Sequence, residues 1–148
     1  MAATKTGVSL NWGGFDKALG KAAHKLGDTQ ALMESVGDAL VSGTLKRSQD
    51  EEDPTGKKWP KSKRAAKKDG QTLTDTALLR RSVDYAATSD KVMVGSNLPY
   101  ARIHQKGGKT GKGHKVDMPA RPYLGVSEED MDEVRETVAD FLAGTFKA

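Results

Sequence analysis

Apolar positions along the chain change their spacing several times, and each spacing predicts an element. Val8, Leu10 and Trp12 alternate with Ser9 and Asn11, the period of a short half-buried strand. Gly13-Gly14 breaks it. Phe15, Leu19, Ala22 and Leu26 then fall on one helical face, and Gly27 is placed to cap that helix. Asp28 can open a second helix by accepting from its free backbone N–H groups. The inner stripe of this helix is Leu32, Val36, Ala39, Leu40 and Gly43, and it runs to about Arg47. The tight Gly-Asp turn between the two predicts an antiparallel helical hairpin.

The period is lost from Gln49 to Gly70. Acidic Asp50-Glu51-Glu52-Asp53 leads into the turn signal Pro54-Thr55-Gly56, then Lys57-Lys58-Trp59-Pro60. Lys61, Lys63, Arg64, Lys67 and Lys68 follow within a few positions. This predicts an extended basic arm over about 49–72, with one helical turn around Lys63 to Lys68. Trp59 is its anchor, because ordering so large a ring needs burial against the domain or a neighbour.

Further on, Leu79, Val83 and Tyr85, interrupted by Arg81, pair with Val92 and Val94 around a turn at Ala87 to Asp90, a β-hairpin pattern. Pro99 and Tyr100 lead into a short helix ending near Gln105. Gly107, Gly108, Gly111 and Gly113, interleaved with Lys, make 106–117 a mobile loop unless a partner orders it. Pro119 and Pro122 hold the next segment extended, as an edge strand. Ser127 opens the last helix, with Asp130 where a capping box carries Glu or Gln. Met131, Val134, Val138, Phe141 and Leu142 form its stripe, and Gly144 ends it. The sum is one α+β domain over 1–148. A small antiparallel sheet packs with the N-terminal helical hairpin and the C-terminal helix, and extended arms and loops project from it.

Composition sharpens this picture. Only 36% of the 148 residues are hydrophobic and 30% are charged, which suits a small core whose arms bury surface in an assembly. The absence of cysteine excludes disulfides and thiolate metal sites. No apolar run reaches the ~20 residues of a membrane span, and the first residues lack the apolar stretch of a secretory signal. The expectation is a soluble protein made in the cytoplasm, with no membrane partner.

Charge is segregated. Lys57 to Lys115 holds fifteen Lys/Arg against four Asp/Glu, and the rest holds nine against sixteen. Such a chain can dock to its own copy, to an acidic protein or to nucleic acid.

Catalytic chemistry finds little footing. Gly108-Lys109-Thr110 looks like the end of a phosphate loop, but Ile103 stands where that loop needs glycine. His104, His114 and Asp117 match no zinc spacing. Nothing pairs a nucleophile with a base. Nucleic acid is the physical alternative. Lys57 to Lys68 and Lys106 to Lys115 can contact phosphates, and Tyr100 or Tyr123 can stack on bases.

Four motifs together resemble the phage virion morphogenesis (tail completion) family of tailed bacteriophages. They are Asp53-Pro54-Thr55-Gly56-Lys57-Lys58-Trp59; Leu73 to Val83; Val94-Gly95-Ser96 followed by Tyr100 to Gly107; and Pro119-Ala120-Arg121-Pro122-Tyr123-Leu124-Gly125. Their order and spacing extend over about Leu19 to Leu142. Where such proteins usually carry Thr-Gly, this chain has Thr76-Ala77, which weighs against a positive-φ turn there.

The resemblance implies a structural role at the virion neck, where head meets tail, as a ring subunit, often six-fold. It implies no enzyme and no cofactor. Partners would be copies of itself and neighbouring adaptor, terminator or tail-tube proteins, with DNA passing through the lumen. The alternatives are a tail terminator capping the tube and a basic nucleic-acid-binding protein outside the virion. Candidate interaction residues are Trp59, Lys63, Arg64, Lys67, Lys68, Arg102, His104, Lys109, Lys112, Arg121 and Tyr123. Arg121 is expected to be structural or interfacial, with a guanidinium suited to gripping carboxylates.

Overall fold

The computed structural model describes residues 29–74 and 77–146. The strand at Val8 to Trp12, the first helix with its Gly27 end, and the Asp28 cap therefore lie outside the described residues. What remains is α+β, built on one long helix, α1 (Gln30–Asp50). Its buried face is Leu32, Met33, Val36, Gly37, Leu40, Thr44, Arg47 and Ser48, spaced by three and four. The expected stripe is mostly there, but Ala39 and Gly43 are only half-buried.

Two elements pack on that face. One is an antiparallel hairpin, β1 (Asp84–Ala87) and β2 (Val92–Gly95), with Tyr85 opposite Val94 and Ala87 opposite Val92. The other is the C-terminal helix, α5 (Glu128–Phe146), which brings the fully buried Val134. Both approach closely through glycine. A Cβ on Gly37 would overlap the Tyr85 ring, and one on Gly43 would overlap the Asp130 carboxylate. The core is one cluster that also takes in Trp59, Leu79, Val83, Ala101, Tyr123 and Leu124.

Several expectations are corrected. The hairpin's first strand starts only at Asp84, and Leu78–Ser82 is a short helix, α3. Leu79 and Val83 lie four apart and share an inward face, while Arg81 points to solvent. Ala77 opens α3 at φ 59°, so the positive-φ turn survives without glycine.

The arm is not extended. Asp53 accepts from the backbone N–H groups of Thr55 and Lys57, which folds the Pro54-Thr55-Gly56 turn. Trp59 N–H bonds Glu51 O at 2.8 Å, and its ring enters the core. Ser62 then caps the short helix α2 (Lys63–Lys68) by accepting from Ala65 N–H, and Ala65 is buried.

The Gly/Lys loop is also ordered. It follows α4 (Ala101–Lys106) and forms a second hairpin, β3 (Gly108–Thr110) with β4 (Val116–Met118). Positive φ at Gly111, Gly113 and His114 makes its turn. The edge strand expected over Pro119 to Gly125 is absent. Tyr123 and Leu124 N–H groups both bond the Gln105 side-chain oxygen at 3.0 Å, so a side chain takes the place of a neighbouring strand.

The last helix has the capping box that Ser127 suggested, with Asp130 in the acidic role. Asp130 N–H donates to Ser127 Oγ, and Ser127 N–H donates to Asp130 Oδ2. The helix continues past Gly144 to Phe146. The same Asp130 carboxylate meets the buried Arg47 guanidinium of α1. Arg47 Nη2 also donates to Gly125 O at 2.8 Å and Tyr123 O at 3.3 Å.

Two outcomes follow. An exposed helical Gly→Ala change normally gains about 1 kcal/mol. Gly43→Ala should instead lose about 1–3 kcal/mol in urea unfolding, because the Asp130 carboxylate must move. Asp130→Asn should lose about 3–5 kcal/mol by leaving Arg47 buried without a counter-charge, and the Arg47→Met/Asp130→Leu pair should recover part of that. An Asp130→Asn variant as stable as the parent would contradict this account.

Candidate interaction surfaces

The eleven candidate residues separate into those held inside the subunit and those presented outside. Trp59, Arg121 and Tyr123 face inward. Trp59 Nε1–H donates to Pro122 O at 2.7 Å, and Arg121 Nε–H donates to Pro60 O at 2.6 Å. Arm and extended segment are thus stitched together from both sides. Arg121 grips that carbonyl and the Met118 sulfur, not a carboxylate. Burial lowers its pKa from the ordinary value. Tyr123 is 1% exposed, and burial pushes its hydroxyl up to about 12. A ring so enclosed cannot stack on a base.

His104 lies between inside and outside. It lines a pocket of about 320 Å³ with Leu73, Leu78, Leu79, Tyr100 and Met118, and Ser62, Arg64 and Arg121 complete the wall. Tyr100 meets the imidazole edge-on at 5.9 Å between centroids. His104 Nδ1 is buried and has no hydrogen-bond partner among the described residues. Burial first, and the Arg121 charge second, lower its pKa.

The remaining cations are outside. Lys63, Lys67 and Lys68 are exposed on α2, Arg102 on α4, and Lys109 and Lys112 on the second hairpin. Arg64 is half-buried, and its Nη2 donates to Gln71 O at 2.8 Å. Gly108-Lys109-Thr110 is a strand, not a phosphate-cradling loop. Among the described residues no group of three His, Asp or Glu could hold a metal ion. Nor is any described helix long and apolar enough to cross a membrane.

A second surface was not legible in the sequence. Packing of α5 on α1 brings the Asp50 to Asp53 run beside Glu128 and Glu129, around a groove of about 530 Å³. Asp50, Glu52, Asp53, Glu128 and Glu129 line it; Glu129 pairs with Lys46 at 3.0 Å and Glu52 with Lys58 at 3.3 Å, which leaves Asp50 and Glu128 as acids facing the groove. Each acidic run has its own local reason: Glu128 and Glu129 suit a helix N-terminus, and Asp53 builds a turn. Only the tertiary contact makes them one surface. Gln105 was missed too, since nothing in its spacing marks a side chain that holds backbone.

The His104 environment generates a pH dependence. Its neutral form is favoured in the folded state, so the unfolded chain binds the extra proton as pH falls below the ordinary 6.5. The stability contribution is complete above that pH and is lost as pH falls toward the lower folded value. Thermal melts should show a decline over this window that His104→Gln removes. Identical profiles for the two proteins would refute the assignment.

Known proteins similar to this chain come from a phage and a prophage. Residues 10–143 match the phage virion morphogenesis family. The "Mu-like prophage FluMu G protein 2" of Haemophilus influenzae is 33% identical, over 84% of this chain and 86% of that protein. The "Putative capsid assembly protein G" of Escherichia phage Mu is 32% identical, over 76% of this chain and 81% of its own. No solved structure matches. The chain belongs to the phage virion morphogenesis family and is a structural phage assembly protein.

Proposed function

We propose that the protein acts in tail completion and head–tail joining, as a subunit of a ring at the virion neck, six-fold in the simplest case. The observation that carries this reading is the pairing of family membership with two exposed surfaces of opposite charge on one subunit. A subunit with complementary surfaces can repeat head to tail, and such a contact closes into a ring when its rotation allows. The protein's work is then binding, not turnover, and it uses no cofactor. Its neighbours are the adaptor, terminator or tail-tube proteins, with DNA in the lumen facing part of the basic surface.

The name of the phage Mu relative favours a second reading, in which the protein acts on the head. A role in nucleic-acid binding outside the virion has less support. Trp59 and Tyr123 are enclosed, which leaves Tyr100 as the accessible ring near the basic residues.

The test is electron microscopy of lysates from a phage deleted for this gene. Full heads beside finished but unattached tails are the expected result. Tails of uncontrolled length would make the protein a terminator, and missing or malformed heads would move it to capsid assembly. Normally joined particles would overturn the reading.

A further inference from the structure

The second hairpin is ordered yet contributes nothing to its own core. From Gly111 to Asp117 every residue is exposed, and β3 and β4 pack chiefly on each other and the turn between them, with Met118 at the base reaching the wall of the His104 pocket. A two-stranded hairpin with no third layer is marginal in water. Its base alone is held: Gly107, at φ 71°, lies so close to Met118 O and Ala120 N that a Cβ would sit 2.9 and 2.7 Å away. Its outer part carries Lys109, Lys112 and Lys115 against one acid, Asp117. It also carries Val116, which is 52% exposed and is one of the three large hydrophobics left exposed among the described residues. Val116 pairs with Thr110 on one face of the hairpin and Lys109 with Asp117 on the other, so an apolar residue and three lysines are presented on an unpartnered sheet, a composition that suits an acidic partner.

Such a partner surface exists on this same chain. The groove between the end of α1 and the start of α5 is acidic and concave, and Val126 gives it an apolar patch. The other two exposed hydrophobics, Leu78 and Tyr100, border the His104 pocket. That pocket has Arg64 and Arg121 in its wall and repels lysine. We propose that the hairpin of one subunit docks into the acidic groove of a second copy, with Val116 toward Val126 and the lysines toward Asp50 and Glu128, beside the Glu52–Lys58 pair. The contact is heterologous, because hairpin and groove are different surfaces. It rests on the ring reading and specifies how the ring is joined.

The test is charge reversal in the full chain, read by sedimentation velocity. One variant carries Lys109→Glu, Lys112→Glu and Lys115→Glu. The other carries Asp50→Lys, Glu52→Lys and Glu128→Lys, and it spares Asp53 and Asp130, which hold a turn and a helix cap. Circular dichroism checks that both fold. Each variant alone should self-associate at least about 100-fold more weakly than the parent, because like charges then face each other. An equimolar mixture should regain association, since each variant's hairpin then meets a groove of opposite sign. A chain carrying all six changes should regain it alone.

Variants that associate as the parent does, or a mixture that stays monomeric, would overturn the hairpin–groove contact. So would a parent that is monomeric at every concentration, even if the deleted phage leaves tails unjoined. Rescue in the mixture alongside normal particles from the deleted phage would keep the contact and discard the neck assignment.

Discussion

The fold depends on one buried charge. Arg47 sits in the last turn of α1, where the apolar face of the helix ends, and its guanidinium is out of water. A buried cation is tolerable only if its donors are met by fixed acceptors. Here acceptors for its two terminal nitrogens come from three parts of the chain: the Asp130 carboxylate, the Tyr123 and Gly125 carbonyls, and the Thr44 hydroxyl one turn back, while Nε is buried without a partner among the described residues. Asp130 is itself fixed by the Ser127 backbone. Helix, extended segment and helix cap are therefore specified together. None can shift far without leaving the guanidinium exposed to an unmatched environment.

The extended segment from Pro119 to Gly125 extends that constraint outward. It makes no strand, yet nearly every residue on it is held by something specific. Arg121 N–H bonds His104 O at 2.8 Å, Gln105 holds Tyr123 and Leu124, Trp59 takes the Pro122 carbonyl, and Gly125 packs on Pro54. The arm and the base of the second hairpin are both attached to this segment. A stretch whose prolines read as an edge strand is thus the junction between core and surface.

Periodic elements were legible in the sequence because burial writes a period. The inner faces of α1 and α5 follow from spacing, and so does the β1–β2 hairpin except for the helical start that Leu79 and Val83 make instead of strand. Order supplied by individual hydrogen bonds was not legible. Asp53 in its turn, Gln105 against backbone, and Ala77 at positive φ leave no periodic trace. The glycine-rich hairpin misled for the opposite reason, since the same glycines that permit mobility also permit its tight turn. Of the candidate residues, the lysines are where a charge reading puts them. Trp59, Arg121 and Tyr123 are turned inward, because an aromatic ring or guanidinium that can reach a carbonyl inside the subunit is held there.

The acidic groove has a consequence for when the molecule can act. Its two walls come from segments far apart in the chain, and Lys46 and Arg47 of the first offset the charges of Glu129 and Asp130 in the second. Before α1 and α5 meet, the two acidic runs are separate stretches of chain, and the groove between them does not exist. A chain in which α1 and α5 have not met therefore carries its lysines but not the groove. The buried ion pair thus ties the groove to completed folding: it is a surface that only the finished subunit displays.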